Sequence, residues 1–263
     1  MLKSGLVSIS FRKYGVGEIL NMCEKARLDC IEWGGDKHVV HGDTALAEKV
    51  ARMSADAGIE IASYGSYYKA GFSENSPDNP LAFGAALDSA LALGAKTVRV
   101  WAGSGINSSE INPVQRREIV DDLLRIGEMA AGFDIKVSME FHGGTLTDCN
   151  ESAVRLRHEL SDALNVDFYW QPKLEYSDAE CLEGIGALMP EINHIHVFQW
   201  VLGADGRFVR KLLETGRERW LKFLREINAD GRKHAAMLEF FADDSEDNFY
   251  KDAATLKQII DEL

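Results

Sequence analysis

The sequence predicts one (β/α)8 barrel spanning residues 1–263. Strand-like and helix-like segments alternate from end to end, which argues for a parallel sheet with helical crossovers. The alternation repeats eight times, as expected for a sheet that closes on itself in a chain of roughly 250 residues. Four segments in the second half, MEFHGG, YWQP, HIHVFQW and MLEFF, each end in a residue able to bind a divalent cation. In a barrel of parallel strands, all such ends open on one pocket.

GLVSISF (5–11) reads as the first strand and GVGEILNMCEKAR as an amphipathic helix. CIEWGG (30–35) is the second strand. Its helix, DTALAEKVARMSADAG, has Asp43 or Thr44 as N-cap and Gly58 as its stop. IEIASYGSYY (59–68) is the third strand, followed by a helix from about Asn79 to Gly94 with Pro80 in its first turn. KTVRVWAG (96–103) precedes the helix NPVQRREIVDDLLRIGEMAAG (112–132), again with proline in its first turn. IKVSMEFHGG (135–144), NVDFYWQP and INHIHVFQW are strands five to seven, with ESAVRLRHELSD and DAECLEGIGALMPE as the helices between them. A longer loop runs from Val201 to Gly216 before the helix ERWLKFLREINAD. HAAMLEFFADD is the eighth strand, and NFYKDAATLKQIIDEL closes the chain. A doubly wound open sheet would want a Gly-rich phosphate turn after its first strand. Here that strand runs into Phe11-Arg12-Lys13-Tyr14.

With 46% hydrophobic residues and 5 prolines, the chain can build a core and does not read as disordered. No run of 18 apolar residues exists, so no membrane span is expected. The opening MLKSGLVSISFRKYG lacks a secretory leader pattern, which predicts a cytoplasmic protein. Cys23, Cys30, Cys149 and Cys181 are scattered without a CxxC and read as reduced thiols. A net charge of −13 repels a phosphate backbone and argues against nucleic acid as a partner.

Glu140 and His142 share one face of strand five, and His194 and His196 one face of strand seven, because side chains alternate. Glu239 follows the apolar run Ala235–Leu238 and has no apolar reason to stand there. Singly, such a Glu is more often a cap or a salt bridge; the convergence of several weakens that account. Two carboxylates, an imidazole and an amide oxygen suit one Mn²⁺, Mg²⁺, Co²⁺ or Zn²⁺, and the oxygen ligands favour Mn²⁺ or Mg²⁺.

These strand ends, with IEWGGDKHV (31–39), SYGSYYKAG (63–71) and VRVWAG (98–103), resemble the sugar-phosphate isomerase/epimerase group of xylose-isomerase-like barrels, which includes ketose 3-epimerases. The resemblance covers nearly the whole chain. It implies one metal held by Glu140, Gln171, His196 and Glu239, with Glu140 and Glu239 also forming the acid–base pair. Relatives often carry Trp-Asp-Pro where this chain reads Trp170-Gln171-Pro172, and a second polar residue where it has Leu174. A homodimer is the expectation by analogy with such barrels.

Arg99 and Trp101 share a face at the end of strand four, where an Arg can fork onto substrate oxygens or pair with Glu32. Glu32, His38 and His41 are expected near the same mouth, with Trp170 among the aromatics able to stack on a sugar. Arg207, Arg210 and Lys211 form a basic cluster in the loop after strand seven. The leading expectation is a metal-dependent isomerase or epimerase of a sugar or sugar derivative, working through an enediolate. A sugar-acid lyase or dehydratase shares its first step. A non-catalytic sugar-binding barrel is the alternative from another class. An abasic-site endonuclease would want a multi-zinc cluster and a basic face, which this acidic chain lacks.

Overall fold

The computed structural model describes residues 1–163 and 165–263. In chain order the strands are β1 (Leu2–Val7), β2 (Cys30–Gly34), β3 (Glu60–Lys69), β4 (Thr97–Trp101), β5 (Lys136–Glu140), β6 (Val166–Trp170), β7 (Ile192–Val197), β8 (Trp200–Leu202), β9 (Phe208–Arg210) and β10 (His234–Leu238). Eight of them close a parallel barrel in the order β1-β10-β7-β6-β5-β4-β3-β2. The helices are α1 (Val16–Ala26), α2 (Thr44–Asp56), α3 (Phe83–Leu93), α4 (Pro113–Ala131), α5 (Asn150–Glu159), α6 (Asp178–Leu188), α7 (Arg217–Asn228) and α8 (Glu246–Asp261). None is long and apolar enough to cross a membrane among the described residues.

Local chemistry sets the element ends. Asp43 caps α2 by accepting from the Leu46 amide at 2.9 Å. Asn112 caps α4, with Pro113 at the first helical position, where a missing N–H does no harm. In α7, Trp220, Phe223, Leu224 and Ile227 recur at helical spacing and are all buried against the barrel.

Three expectations need correction. The first strand ends at Val7, and Ser8–Phe11 form a 3-10 turn. Ile9 and Phe11 are buried as the alternation suggests, but by packing of that turn, while the Ser8 hydroxyl accepts from the Gly34 amide at 2.9 Å. The third helix starts at Phe83, so Pro80 lies ahead of it; the Glu74 carboxylate accepts from the Phe83 amide at 3.1 Å and does the capping. The loop after β7 contains the hairpin β8–β9, with Asp205-Gly206 at its turn and Gly206 at φ 78°.

Much of the barrel interior is polar. Near the strand N-termini, Asp167 accepts from Ser138 and from Lys136, the latter at 3.0 Å. Burial pushes the Asp167 carboxyl up to about 6, against the opposing pull of Lys136. A carboxyl that binds its proton more tightly when folded stabilises below its unfolded value and loses that contribution as pH rises through the folded one. Asp167→Asn is therefore expected to gain on the wild type between pH 4 and pH 7, by on the order of 2 kcal/mol. Urea denaturation at the two pH values checks this; an unchanged difference between the proteins refutes it.

Candidate functional site

The C-terminal ends of β4, β5, β6, β7 and β10 border one cavity of about 860 Å³. Glu140 is the last residue of β5, Gln171 follows β6, and His196 lies in β7. Glu239 follows β10, its amide extending the ladder to the Val197 carbonyl at 3.0 Å. His196 is fully buried between the two carboxylates: its Nδ1 is 3.4 Å from Glu140 Oε1 and 3.5 Å from Glu239 Oε2. Its Nε2 points towards Glu32 Oε1 at 3.7 Å. Neither ring nitrogen has a hydrogen-bond partner among the described residues.

Arg99 joins the group from below. Its Nε donates to Glu32 Oε1 at 2.8 Å and its Nη1 to Glu140 Oε2. The Trp101 indole also donates to Glu140 Oε2, so that oxygen is committed while Oε1 faces His196. Ser63 donates to the second oxygen of Glu32 at 2.7 Å. A β-carbon at Gly65 would stand 2.6 Å from Glu32 Oε1 and 2.8 Å from Arg99 Nη2, so the network needs glycine there. Gln171 Nε2 donates to Glu140 Oε1 at 3.2 Å and to the Phe141 carbonyl at 2.7 Å, which holds the amide at the site with its oxygen uncommitted among the described residues.

The charges decide what this group can take up. Three buried carboxylates, Glu32, Glu140 and Glu239, face one guanidinium, leaving two negative charges when His196 is neutral. Protons can meet the surplus. Burial disfavours a charged His196, but Glu239 and the other carboxylates outweigh it and push the imidazole up to about 10. Burial, with Glu140 nearby, pushes Glu239 up to about 7. Burial also opposes ionisation of Glu140, but Arg99 and His196 outweigh it and bring that carboxyl down to about 2. A divalent cation would meet the same surplus, and carboxylate, imidazole and amide oxygen are donors it accepts. The residues fit such an ion in charge and chemistry. No three His, Cys, Asp or Glu side chains among the described residues already stand in ligand geometry, and Glu140 is drawn towards Arg99 and Trp101.

A family model described as xylose isomerase-like TIM barrel matches residues 20–259. The chain belongs to that family. No curated protein sequence matches it. Among solved structures it is similar to the probable 3-DHS dehydratase AsbF of Bacillus anthracis, with 20% identity, TM-score 0.78 and coverage of 98% and 99% of the two chains. It is also similar to a D-psicose 3-epimerase solved with D-fructose, with 15% identity, TM-score 0.71 and 97% coverage of each chain. A xylose isomerase-like barrel protein from Mycobacterium smegmatis, in complex with magnesium, has 16% identity and TM-score 0.72, with 98% and 96% covered. At these identities the likeness concerns the fold.

The remaining candidates of this xylose isomerase-like barrel divide by position. Trp101 and His142 line the cavity with their rings stacked, centroids 4.6 Å apart. His142 Nδ1 lies 2.7 Å from the Gly143 carbonyl, which accepts; Nδ1 therefore carries a hydrogen, and in the neutral ring Nε2 is the acceptor. Arg99 borders the cavity but is 1% exposed, and its bonds run to protein carboxylates. Glu32 does not reach the mouth: it is fully buried beneath His196. His38 is also withdrawn, near the Ser8 hydroxyl at 3.1 Å and edge-on to Trp33. Trp170 faces the helices, with Phe223 at 5.4 Å and Trp220 at 6.2 Å. Alternation explains this, since Tyr169 and Gln171 take the inward positions on either side of it. Arg210 pairs with Asp244 and lies over Phe240 at 4.8 Å, so its charge is already met.

Sequence reasoning passed over Tyr169, whose ring is 4.5 Å from His196 and whose hydroxyl is 3.2 Å from Ser63 Oγ. Its place two residues before Gln171 was the available signal.

Proposed function

We propose that this barrel is a metal-dependent isomerase or epimerase of a sugar or sugar derivative, acting by proton abstraction beside a carbonyl through an enediolate. The observation that carries this reading is the pair Glu140 and Glu239, on separate strands, flanking one imidazole at the floor of a cavity large enough for a sugar. Glu140, Gln171, His196 and Glu239 are the residues that would hold the ion. When bound, a divalent cation polarises a carbonyl and makes the neighbouring C–H more acidic. One carboxylate takes the proton from carbon, and the other, already protonated, delivers its own proton to the opposite face. Trp101 offers a flat apolar wall, and His142 Nε2 accepts from a substrate hydroxyl. The family and the named D-psicose 3-epimerase support the sugar class.

The test follows the hydrogen α to the carbonyl by NMR in D₂O, with a panel of ketoses, their phosphates and related keto acids. Deuterium wash-in that requires Mn²⁺ or Mg²⁺ supports the reading; binding without exchange across the panel favours a non-catalytic sugar-binding barrel. The likeness to a probable dehydratase is the reason to examine products as well, since loss of water would follow the same proton abstraction.

Gln171→Asp is expected to tighten Mn²⁺ binding by about tenfold or more, because a carboxylate adds a hard, charged donor beside the dication. Affinity is also expected to rise with pH. The protons favoured on Glu239, up to about 7, and on His196, up to about 10, must leave as the cation enters. Titration calorimetry at pH 6.5 and pH 8.5 reads both effects. Equal affinities for the two proteins would remove Gln171 from the ligand set.

A further inference from the structure

The backbone departs from strand geometry where β3 passes the cavity. The register with β4 pairs Gly65 with Arg99 and then Tyr68 with Val100, so Ser66 and Tyr67 are looped out of the ladder. Tyr67 adopts φ +56°, in the left-handed region that a bulky aromatic residue rarely enters. Such a conformation persists only where its surroundings over-determine it, and such residues gather at functional sites. Here the bulge is stapled by Ser66, whose hydroxyl donates to the Arg99 carbonyl at 2.7 Å and accepts from the Tyr68 amide at 3.2 Å.

The bulge turns the Tyr67 side chain into the cavity wall. Its ring covers the Arg99 guanidinium at 5.0 Å and meets Trp101 edge-on at 5.7 Å. Its hydroxyl oxygen accepts from Arg12 Nη2 at 3.0 Å, and Arg12 is itself held by Asp36 at 2.9 Å. An oxygen that accepts from a guanidinium must direct its own proton elsewhere. No acceptor for that proton is present among the described residues. Burial raises the phenol well above its ordinary range, so the proton stays on. Polarisation by Arg12 makes the O–H a stronger donor, best matched to an oxygen carrying negative charge.

We propose that the Tyr67 hydroxyl donates a hydrogen bond to the substrate oxygen that gains negative charge during proton abstraction, with Arg12 and Asp36 fixing its direction. This rests on the enediolate reading and adds the residue that would recognise the charged form. Nothing in a purely structural role for Tyr67 requires its hydroxyl to distinguish a charged from a neutral ligand.

Tyr67→Phe keeps the ring over Arg99 and removes only the hydroxyl. Calorimetry on the Mn²⁺-loaded protein would compare glycolohydroxamate, a planar mimic of an enediolate that binds a metal as its anion, with neutral D-fructose. The variant is expected to weaken hydroxamate binding about tenfold or more and fructose binding less than about threefold. In the exchange assay kcat is expected to fall by about tenfold or more while KM stays within about threefold, with the melting temperature unchanged. Wild-type exchange with an unaltered Tyr67→Phe variant would overturn the role of Tyr67 and leave the proposed function standing. Equal weakening of both ligands would also overturn it, by showing a positional effect without preference for charge. A wild type that exchanges no ketose and binds no hydroxamate would remove the function and this inference together.

Discussion

Glu140→Gln and Glu239→Gln are each expected to lower metal-supported α-hydrogen exchange by at least about 100-fold for the epimer whose hydrogen faces the missing carboxylate. Glutamine keeps the shape of the side chain and loses the base. The two variants differ in what else they disturb. Glu239 has no side-chain hydrogen bond to a described residue, so its replacement should leave the fold intact. Glu140 accepts from Arg99 and Trp101 at Oε2 and from Gln171 at Oε1, and glutamine can keep the first two through its amide oxygen. The melting temperature, measured beside the NMR exchange rate, separates lost chemistry from lost structure. A carboxylate that moves a proton on one face of the substrate is needed in both directions of a reversible epimerisation. The two variants should therefore fail together in net epimerisation. Undiminished exchange in both would exclude the pair.

Arg99→Met is expected to destabilise the protein at pH 7 by about 3–5 kcal/mol, the typical effect of stranding a buried charge by removing its partner. The guanidinium is buried and holds Glu32 and Glu140 together, and methionine fills similar space without replacing its charge. The pH dependence carries a definite sign. In the wild type the Glu140 carboxyl is held down at about 2, so its stabilising effect is present above its ordinary value near 4.5 and lost as pH falls towards 2. The difference between Arg99→Met and wild type should thus shrink as pH falls below about 4.5, when the stranded carboxyls of the variant take up protons. Adding Glu32→Gln to Arg99→Met should recover part of the loss, because one stranded charge disappears. Urea denaturation of the single and double variants decides the matter. A single-variant loss below about 1 kcal/mol would mean that water, not Arg99, balances these carboxylates.

The residue pattern was most legible where one rule acted alone. Alternating strand and helix periods named all eight barrel units, and Asp43, Asn112 and Gly94 mark helix ends at the expected places. Errors fell where a side chain distant in sequence did the work. Glu74 moved the start of α3 past Pro80 by bonding the Phe83 amide. The Asp205-Gly206 turn within the supposed loop was a readable hairpin signal, flanked by short strands that pair as Trp200 with Arg210 and Leu202 with Phe208.

What the sequence by itself determined was the barrel and the strand ends carrying Glu140, Gln171, His196 and Glu239. A closed parallel sheet leaves those ends nowhere to go but one mouth. Only the tertiary structure decided which polar residues reach the cavity and which serve those that do. Glu32 and Arg99 look alike as candidates along the chain, yet both are buried, and their partners come from β5 and β7 as well as from each other. Trp170 and Tyr169 are adjacent in sequence, and the pleat sends one to the helices and the other to His196. The bulge at Tyr67 depends on Ser66 bonding a backbone carbonyl on the neighbouring strand. Periodicity records which face a residue occupies. Burying charge requires partners from several strands at once, and that pairing exists only after the barrel has closed.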